Sequence, residues 1–139
     1  MYDRILVAVD HSEMSDRAVR AARDLAVLSN GDVWVLHLRE RETGFKTGVL
    51  TEDETTEEAN AQVAASVDVL TEAGVKAHGE VRNTIFGLAA REIISDAIEV
   101  DADVIVMGSR GRGDLAGLLL GSTAHKVIHL SDRPVLVVR

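Results

Sequence analysis

The chain has 139 residues, enough for one domain with a substantial core, and its 46% apolar content with only 3% aromatics makes that core aliphatic. A formal charge of −8 argues against nonspecific binding to nucleic acid or an anionic membrane surface, since those partners require a basic face. Without cysteine there is no disulfide, no thiolate metal site and no cysteine nucleophile.

The opening MYDRILVAVD holds five apolar residues in a row, Ile5 to Val9, too few for a secretory signal or a membrane span, so a soluble, cytoplasmic protein is expected. RILVAV (4–9) reads as a strand. Ala18, Ala22, Leu25 and Leu28 then share a helical face, with Ser12 or Ser15 placed to cap it. DVWVLHL (32–38) is a second strand. The polar stretch 39–58, RERETGFKTGVLTEDETTEE, predicts a long mobile loop running into an acidic helix start. It reads either as a solvated connection or as a lid over a ligand. Ala59, Val63, Val67 and Leu70 define a second helix stopped by Gly74, and VKAHGEV (75–81) a third strand. Ile85, Ala89, Ile93 and Ala97, flanked by Ile94 and Ile98, share the face of a third helix. DVIVMG (103–108) is a fourth strand; a helix follows Gly121, and PVLVVR (134–139) closes the chain as a fifth strand. Strands and helices alternate, and the strands are mostly continuous apolar runs, as strands buried on both faces are. The pattern predicts a single α/β domain, 1–139: an open five-stranded parallel sheet with helices on both faces, Rossmann-like.

Five of the 11 glycines fall between Gly108 and Gly121, after the fourth strand and before the last helix. Ligands of open parallel sheets bind at the carboxyl ends of strands, so these glycines sit where a site is expected. Gly108 and Gly111 would let the backbone turn and approach a ligand closely. Gly121 followed by Ser122 and Thr123 would start a helix with unpaired N–H groups and two hydroxyls, an anion site by construction. Arg110 and Arg112 add positive charge there. The alternative is tight turns and helix-to-sheet packing alone.

Other patterns fit less well. The P-loop spacing is absent. GRGDLA (111–116) matches the loose dinucleotide pattern, but the acid at the right distance, Asp132, precedes a strand instead of ending one. RGD (112–114) is too short to carry an adhesion reading. His125 and His129 stand four apart on a helix, as metal ligands can, but Lys126 follows the first and no third ligand is evident.

GSRGRGDLAGLLLGST fits Gly-x2-Gly-x9-Gly-Ser/Thr through Gly108, Gly111, Gly121 and Ser122. With the opening ILVAVDHS, the HL that ends the second strand, DADVIVMGSRG and the closing RPVLVV, it resembles the ATP-binding branch of the universal stress proteins, UspA-like, over nearly the whole chain. Many relatives carry Gly-x-Pro before the third helix; VRNTIFGLAARE has no proline there, and Thr84 could cap instead. The resemblance implies the strand order 3-2-1-4-5. It implies that Asp10, beside Val9, faces the ribose, that the Leu38 backbone meets the adenine edge, and that Met107 lies against the adenine. Gly108 would pass beneath the ribose and phosphates. Gly111, Gly121, Ser122 and Thr123 would bind the phosphates, with Arg110 and Arg112 nearby and Mg2+ or Mn2+ held mainly by the phosphates.

Catalytic machinery is not evident: Asp10 and His11 are candidate bases, and neither has an obvious partner in the sequence. The expected function is a nucleotide-dependent stress-response or regulatory module that binds ATP, or AMP or another adenine nucleotide. A slow ATPase or phosphotransferase, and a nucleotide-free module for an unknown protein partner, are the alternatives. The uncharged run Val135–Val138 would lie at a sheet edge, which predicts a homodimer pairing that strand with its copy. Arg133 and Arg139 would flank it and discourage slipped pairing.

Overall fold

The structure is a computed structural model that describes residues 1–43, 50–52, 54–111, 117 and 119–139. Strand β1 (Arg4–Val9) leads to helix α1 (Glu13–Ser29), then β2 (Asp32–Thr43), the short β3 (Leu50–Glu52) and α2 (Thr56–Glu72). β4 (Ala77–Ile85), α3 (Ala89–Glu99), β5 (Val104–Gly108), α4 (Ser122–Leu130) and β6 (Val135–Val138) complete the order. Five strands run parallel in the spatial order β4-β2-β1-β5-β6, which is 3-2-1-4-5 once β3 is set aside. β3 pairs antiparallel with the far end of β2, Arg41 opposite Glu52. Arg41 also pairs with Ile85 of β4, so β3 lies on the flank that β1 has vacated.

The continuous apolar runs are explained by the two layers they serve. Ile5, Val7, Val9, Val33, Val35, Val104 and Val106 face α1 and α2. Leu6, Leu36, Ile105 and Met107 face α3 and α4. Alternate residues of one strand are thus buried on opposite sides, each fully buried aliphatic contributing about 1.5–3 kcal/mol.

Local chemistry sets the helix ends. Ser12 caps α1 by accepting the Ser15 N–H, and the helix stops at Asn30 in the left-handed region. The buried face of α1 runs through Ser15, Ala18, Val19, Ala22 and Ala26; Leu28, expected inward, is 86% exposed, because a second consecutive step of three residues rotates off that face. Val67 is only partly buried beside Val63 and Leu70. The expected third helix starts too early in the sequence reading. Thr84 and Ile85 belong to β4, Thr84 is buried, and the N-cap of α3 is Leu88, with no side-chain cap. Gly87, at φ +92°, makes the turn between them. The stretch 39–58 is likewise not loop throughout, since β2 persists to Thr43, β3 follows, and α2 begins at Thr56. A lid over a ligand would involve residues 44–49 and 53, which lie outside the described residues. Arg133, expected as an outward guard, turns inward instead: Nη1 donates to the carbonyls of Ala97 and Ala102, both at 2.9 Å, at the end of α3. Among the described residues, no helix is long and apolar enough to cross a membrane.

Candidate functional site

At the carboxyl ends of β1, β2 and β5, where the chain's path reverses across the sheet, the α3/α4 side opens into a cavity. It holds about 580 Å3 of empty space, part of it continuous with solvent. Val9, Asp10, Leu38, Met107, Gly108, Arg110, Gly111 and Thr123 line it. Eight of the eleven sequence candidates therefore converge on one space. Gly121 and Ser122 stand at the start of α4, one and two residues before Thr123, and Arg112 lies outside the described residues.

The walls divide by chemistry. Leu36, Leu38 and Glu40 alternate along one face of β2, and Ala89 and Ile93 of α3 close over them. Met107, 5% exposed, continues this apolar wall on β5. Arg110, Gly111 and Thr123 form the opposite side. β1 separates β2 from β5, so Glu40 on β2 and Arg110 after β5 enter the cavity lining from opposite sides of β1. Such a split favours a ligand with an uncharged apolar end over β2 and an anionic end toward α4. Period-two alternation along β2 could have singled out Leu36 and Glu40 in the sequence; Ala89 and Ile93 carry no local signal, because only packing brings α3 over the cavity.

Asp10 is tied into the start of α1. Its Oδ1 accepts the Ser12 N–H and the Ser15 hydroxyl, each at 2.8 Å, and its own N–H donates to Ser15 Oγ at 2.6 Å. It is therefore both a latch on α1 and part of the cavity wall. His11 also has a partner: its Nε2 meets Glu54 Oε1. The sequence expectation that neither base has a partner is corrected in both cases. Burial acts to raise the Glu54 carboxyl, but hydrogen bonds from His37 and then His11 outweigh it and hold the group below its ordinary value.

Gly108 has a packing reason as well as a positional one. A Cβ there would lie 2.6 Å from Met14 Cβ and 3.2 Å from the Arg110 carbonyl, so α1 presses directly on the end of β5. Gly121 has an extended backbone, φ −72° and ψ 164°, and caps α4 with no side-chain hydrogen bond. Its N–H donates to the Ser109 carbonyl at 2.6 Å, which fixes the start of α4 against the end of β5. The first N–H groups of a helix have no intrahelical acceptor. At α4 they combine with the positive end of the helix dipole beside the cavity.

The profile of the Universal stress protein family matches residues 1–139. The chain is 38% identical over 149 aligned residues to the universal stress protein YxiE of Bacillus subtilis, with 100% of both chains covered. The solved structure of protein MJ0577 of Methanocaldococcus jannaschii superposes with a TM-score of 0.82 at 27% identity, covering 99% of this chain and 96% of that one. A universal stress protein from Archaeoglobus fulgidus, solved in complex with dAMP, gives a TM-score of 0.75 at 28% identity, covering 99% and 98%.

Proposed function

Because the chain belongs to the universal stress protein family, we propose that it is a regulatory module that binds an adenine nucleotide, ATP foremost, with occupancy setting its shape or its partners. The observation that carries this reading is the uncapped start of α4 beside a cavity whose far wall is apolar. The base would lie between Leu38 and Met107, with the ribose at Asp10. The phosphates would lie over Gly108 and Gly111, facing Gly121, Ser122 and Thr123, with Arg110 beside them. A relative's complex with dAMP supports the ligand class. A magnesium or manganese ion would be held mainly by phosphate oxygens, as hard cations that keep their waters usually are. Among the described lining residues, Asp10, Ser15, Glu40 and Thr123 carry side-chain oxygens, and Asp10 and Thr123 stand on the phosphate side proposed here. The Asp10 carboxylate is engaged by Ser12 and Ser15, so binding is favoured over turnover.

Titration calorimetry with Mg-ATP on the purified protein, with turnover followed in the same sample, tests the proposal. One nucleotide per chain and turnover under about 1 per second, below the range of ordinary enzymes, is the expected result. No binding of ATP, AMP or cyclic AMP would end it.

The reading extends to a cytoplasmic homodimer. β6 lies at the end of the sheet order, its Leu136 is 41% exposed, and an uncovered apolar edge is a template for pairing. A second copy of β6 across a two-fold axis would cover it. Light scattering at micromolar concentration should give twice the chain mass, and Val137→Pro should give a folded monomer. A wild-type monomer contradicts the dimer.

A further inference from the structure

On the sheet face opposite the cavity, three groups from distant parts of the chain meet: His11 after β1, His37 within β2 and Glu54 before α2. Leu36 and Leu38 line the cavity, so His37 between them points to the α1/α2 side. Its side chain is 2% exposed, that of Glu54 10% and that of His11 30%. One ligand atom from each lies within 4.8 Å of the others, the one such group of three among the described residues.

The hydrogen bonds determine what these groups require. His37 Nδ1 is 2.8 Å from the Val9 carbonyl, which can only accept, so Nδ1 carries the proton and donates. In the neutral ring Nε2 then presents a lone pair, and it faces both Glu54 oxygens, at 2.8 and 3.0 Å. His11 Nε2 converges on Glu54 Oε1 as well. The His37 lone pair facing a carboxylate is repelled unless a proton or a metal ion lies between them. His11 can donate from Nε2 as a neutral ring, whereas His37, its Nδ1–H committed to Val9, can donate from Nε2 only as an imidazolium. That imidazolium would be a charge on a side chain only 2% exposed, with the His11 ring 5.3 Å away at its centroid. A single divalent ion satisfies all three groups at once with both rings neutral.

We propose that His11 Nε2, His37 Nε2 and the Glu54 carboxylate form a binding site for one divalent transition-metal ion, zinc in the first instance, separate from the nucleotide cavity. Two imidazoles and one carboxylate are a donor set that zinc accepts, leaving a further coordination position for water or an exogenous ligand. The bond from His37 Nδ1–H to the Val9 carbonyl is the outer contact that orients a metal-bound histidine and fixes its tautomer. Glu54 is held from behind: Arg39 Nη2 donates to its carbonyl at 2.7 Å, and the Thr55 cap of α2 follows it directly. Ligands about 2.1 Å from one zinc lie about 3.4 Å apart at tetrahedral angles, so the set must open slightly, and the exposed His11 has room to swing. The same exposure gives the ion a route in from solvent. Bound there, it would tie the β1–α1 turn, β2 and the start of α2 together beside Val9 and Asp10.

The test uses ZnCl2 alone, on full-length protein stripped with a chelator and kept free of nucleotide, so its outcome is independent of ATP binding. Calorimetry should show one equivalent of zinc, and thermal melts should show a higher Tm with zinc present. His11→Ala, at an exposed position, and Glu54→Gln should each weaken binding by about tenfold or more, with unchanged circular dichroism. If Glu54→Gln fails to fold, His11→Ala decides. The double variant His125→Ala/His129→Ala should bind as wild type. CoCl2 should give a visible absorption band that His11→Ala loses. Absence of stoichiometric zinc binding by wild type, equal affinity in His11→Ala, or a loss confined to the His125/His129 variant each overturns the site.

Discussion

At the start of α2 the Thr55 hydroxyl accepts the Glu58 N–H at 3.1 Å, and the Glu58 carboxylate accepts the Thr55 N–H at 3.3 Å. At the start of α4 Gly121 has no side chain to do either. Ser12 likewise caps α1 by accepting the Ser15 N–H, while its own N–H donates to Asp10. A capped start spends helix donors on the protein's own side chains and gains stability. An uncapped start leaves its donors and its positive dipole end for something else, and α4 starts beside a cavity. The difference separates a helix end that serves the scaffold from one offered to an anion, and it can be attacked from both sides.

The largest effect is expected from giving α4 the cap it lacks. The backbone at Gly121 is extended, so aspartate is conformationally allowed. Gly121→Asp would direct a carboxylate at the N–H groups of the first turn and set a negative charge where phosphate is proposed to lie. Hydrogen bonds to charged groups contribute about 1.5–3 kcal/mol, so ATP affinity should fall roughly tenfold to a hundredfold, read by calorimetry. Thermal stability should hold or rise. Unchanged affinity in a folded variant would erase the distinction between the two helix starts.

A second experiment asks whether a perturbed acid away from the cavity behaves as scaffold. Asp96 on α3 is buried, and that desolvation pushes its carboxyl up to about 6, against the pull of Arg82, whose Nη2 is 2.9 Å from Oδ1 but out of line for a hydrogen bond. Glu80 and Glu99 add to the rise. The folded value exceeds the ordinary 3.8, so the folded state holds the extra proton between them. The stability from Asp96 is thus full below about pH 4 and lost as pH climbs through 6. A shift of about two units corresponds to roughly 2–3 kcal/mol. Wild type should lose stability relative to Asp96→Asn by that order between pH 4 and pH 8, while ATP affinity in the variant stays unchanged. Parallel stability curves in denaturant would remove Asp96 as the source.

The sequence carried the layered fold because its signal is local and redundant. Continuous apolar runs at 5–9 and 104–107 admit few readings other than a strand buried on both faces. The Gly108–Ser122 spacing located the cavity for the same reason, since strand end and helix start are close in the chain. The β4–α3 boundary was misread where two periods overlap: Ile85, Ala89, Ile93 and Ala97 keep helical spacing, yet Gly87 at positive φ breaks the path, and Ile85 stays in the strand. The pairing of His11 with Glu54 spans 43 positions, and Arg133 reaches carbonyls 31 and 36 residues away. Contacts of that kind have no periodic trace and follow only from topology.

The smallest expected effect comes from opening the capped helix. Thr55→Ala removes the acceptor for the Glu58 N–H and leaves only the backbone half of the capping box, the Thr55 N–H donated to the Glu58 carboxylate. Loss of such a cap costs about 1 kcal/mol, which for a domain of this size lowers Tm by ~3–4 °C. Thr55 lies on the α2 side of the sheet and takes no part in lining the cavity, so ATP affinity should stay within about twofold of wild type. Thr55→Asp is the rescue, because aspartate caps as well as threonine and suits the positive end of the helix. It should restore the Tm. At α4 the same residue type is expected to do harm, because there an added carboxylate competes with the ligand. Aspartate should therefore restore stability at position 55 and cost affinity at position 121. If it weakens ATP binding equally at both, the effect is one of overall charge in a chain already at −8, and the two helix starts do not differ in the way proposed.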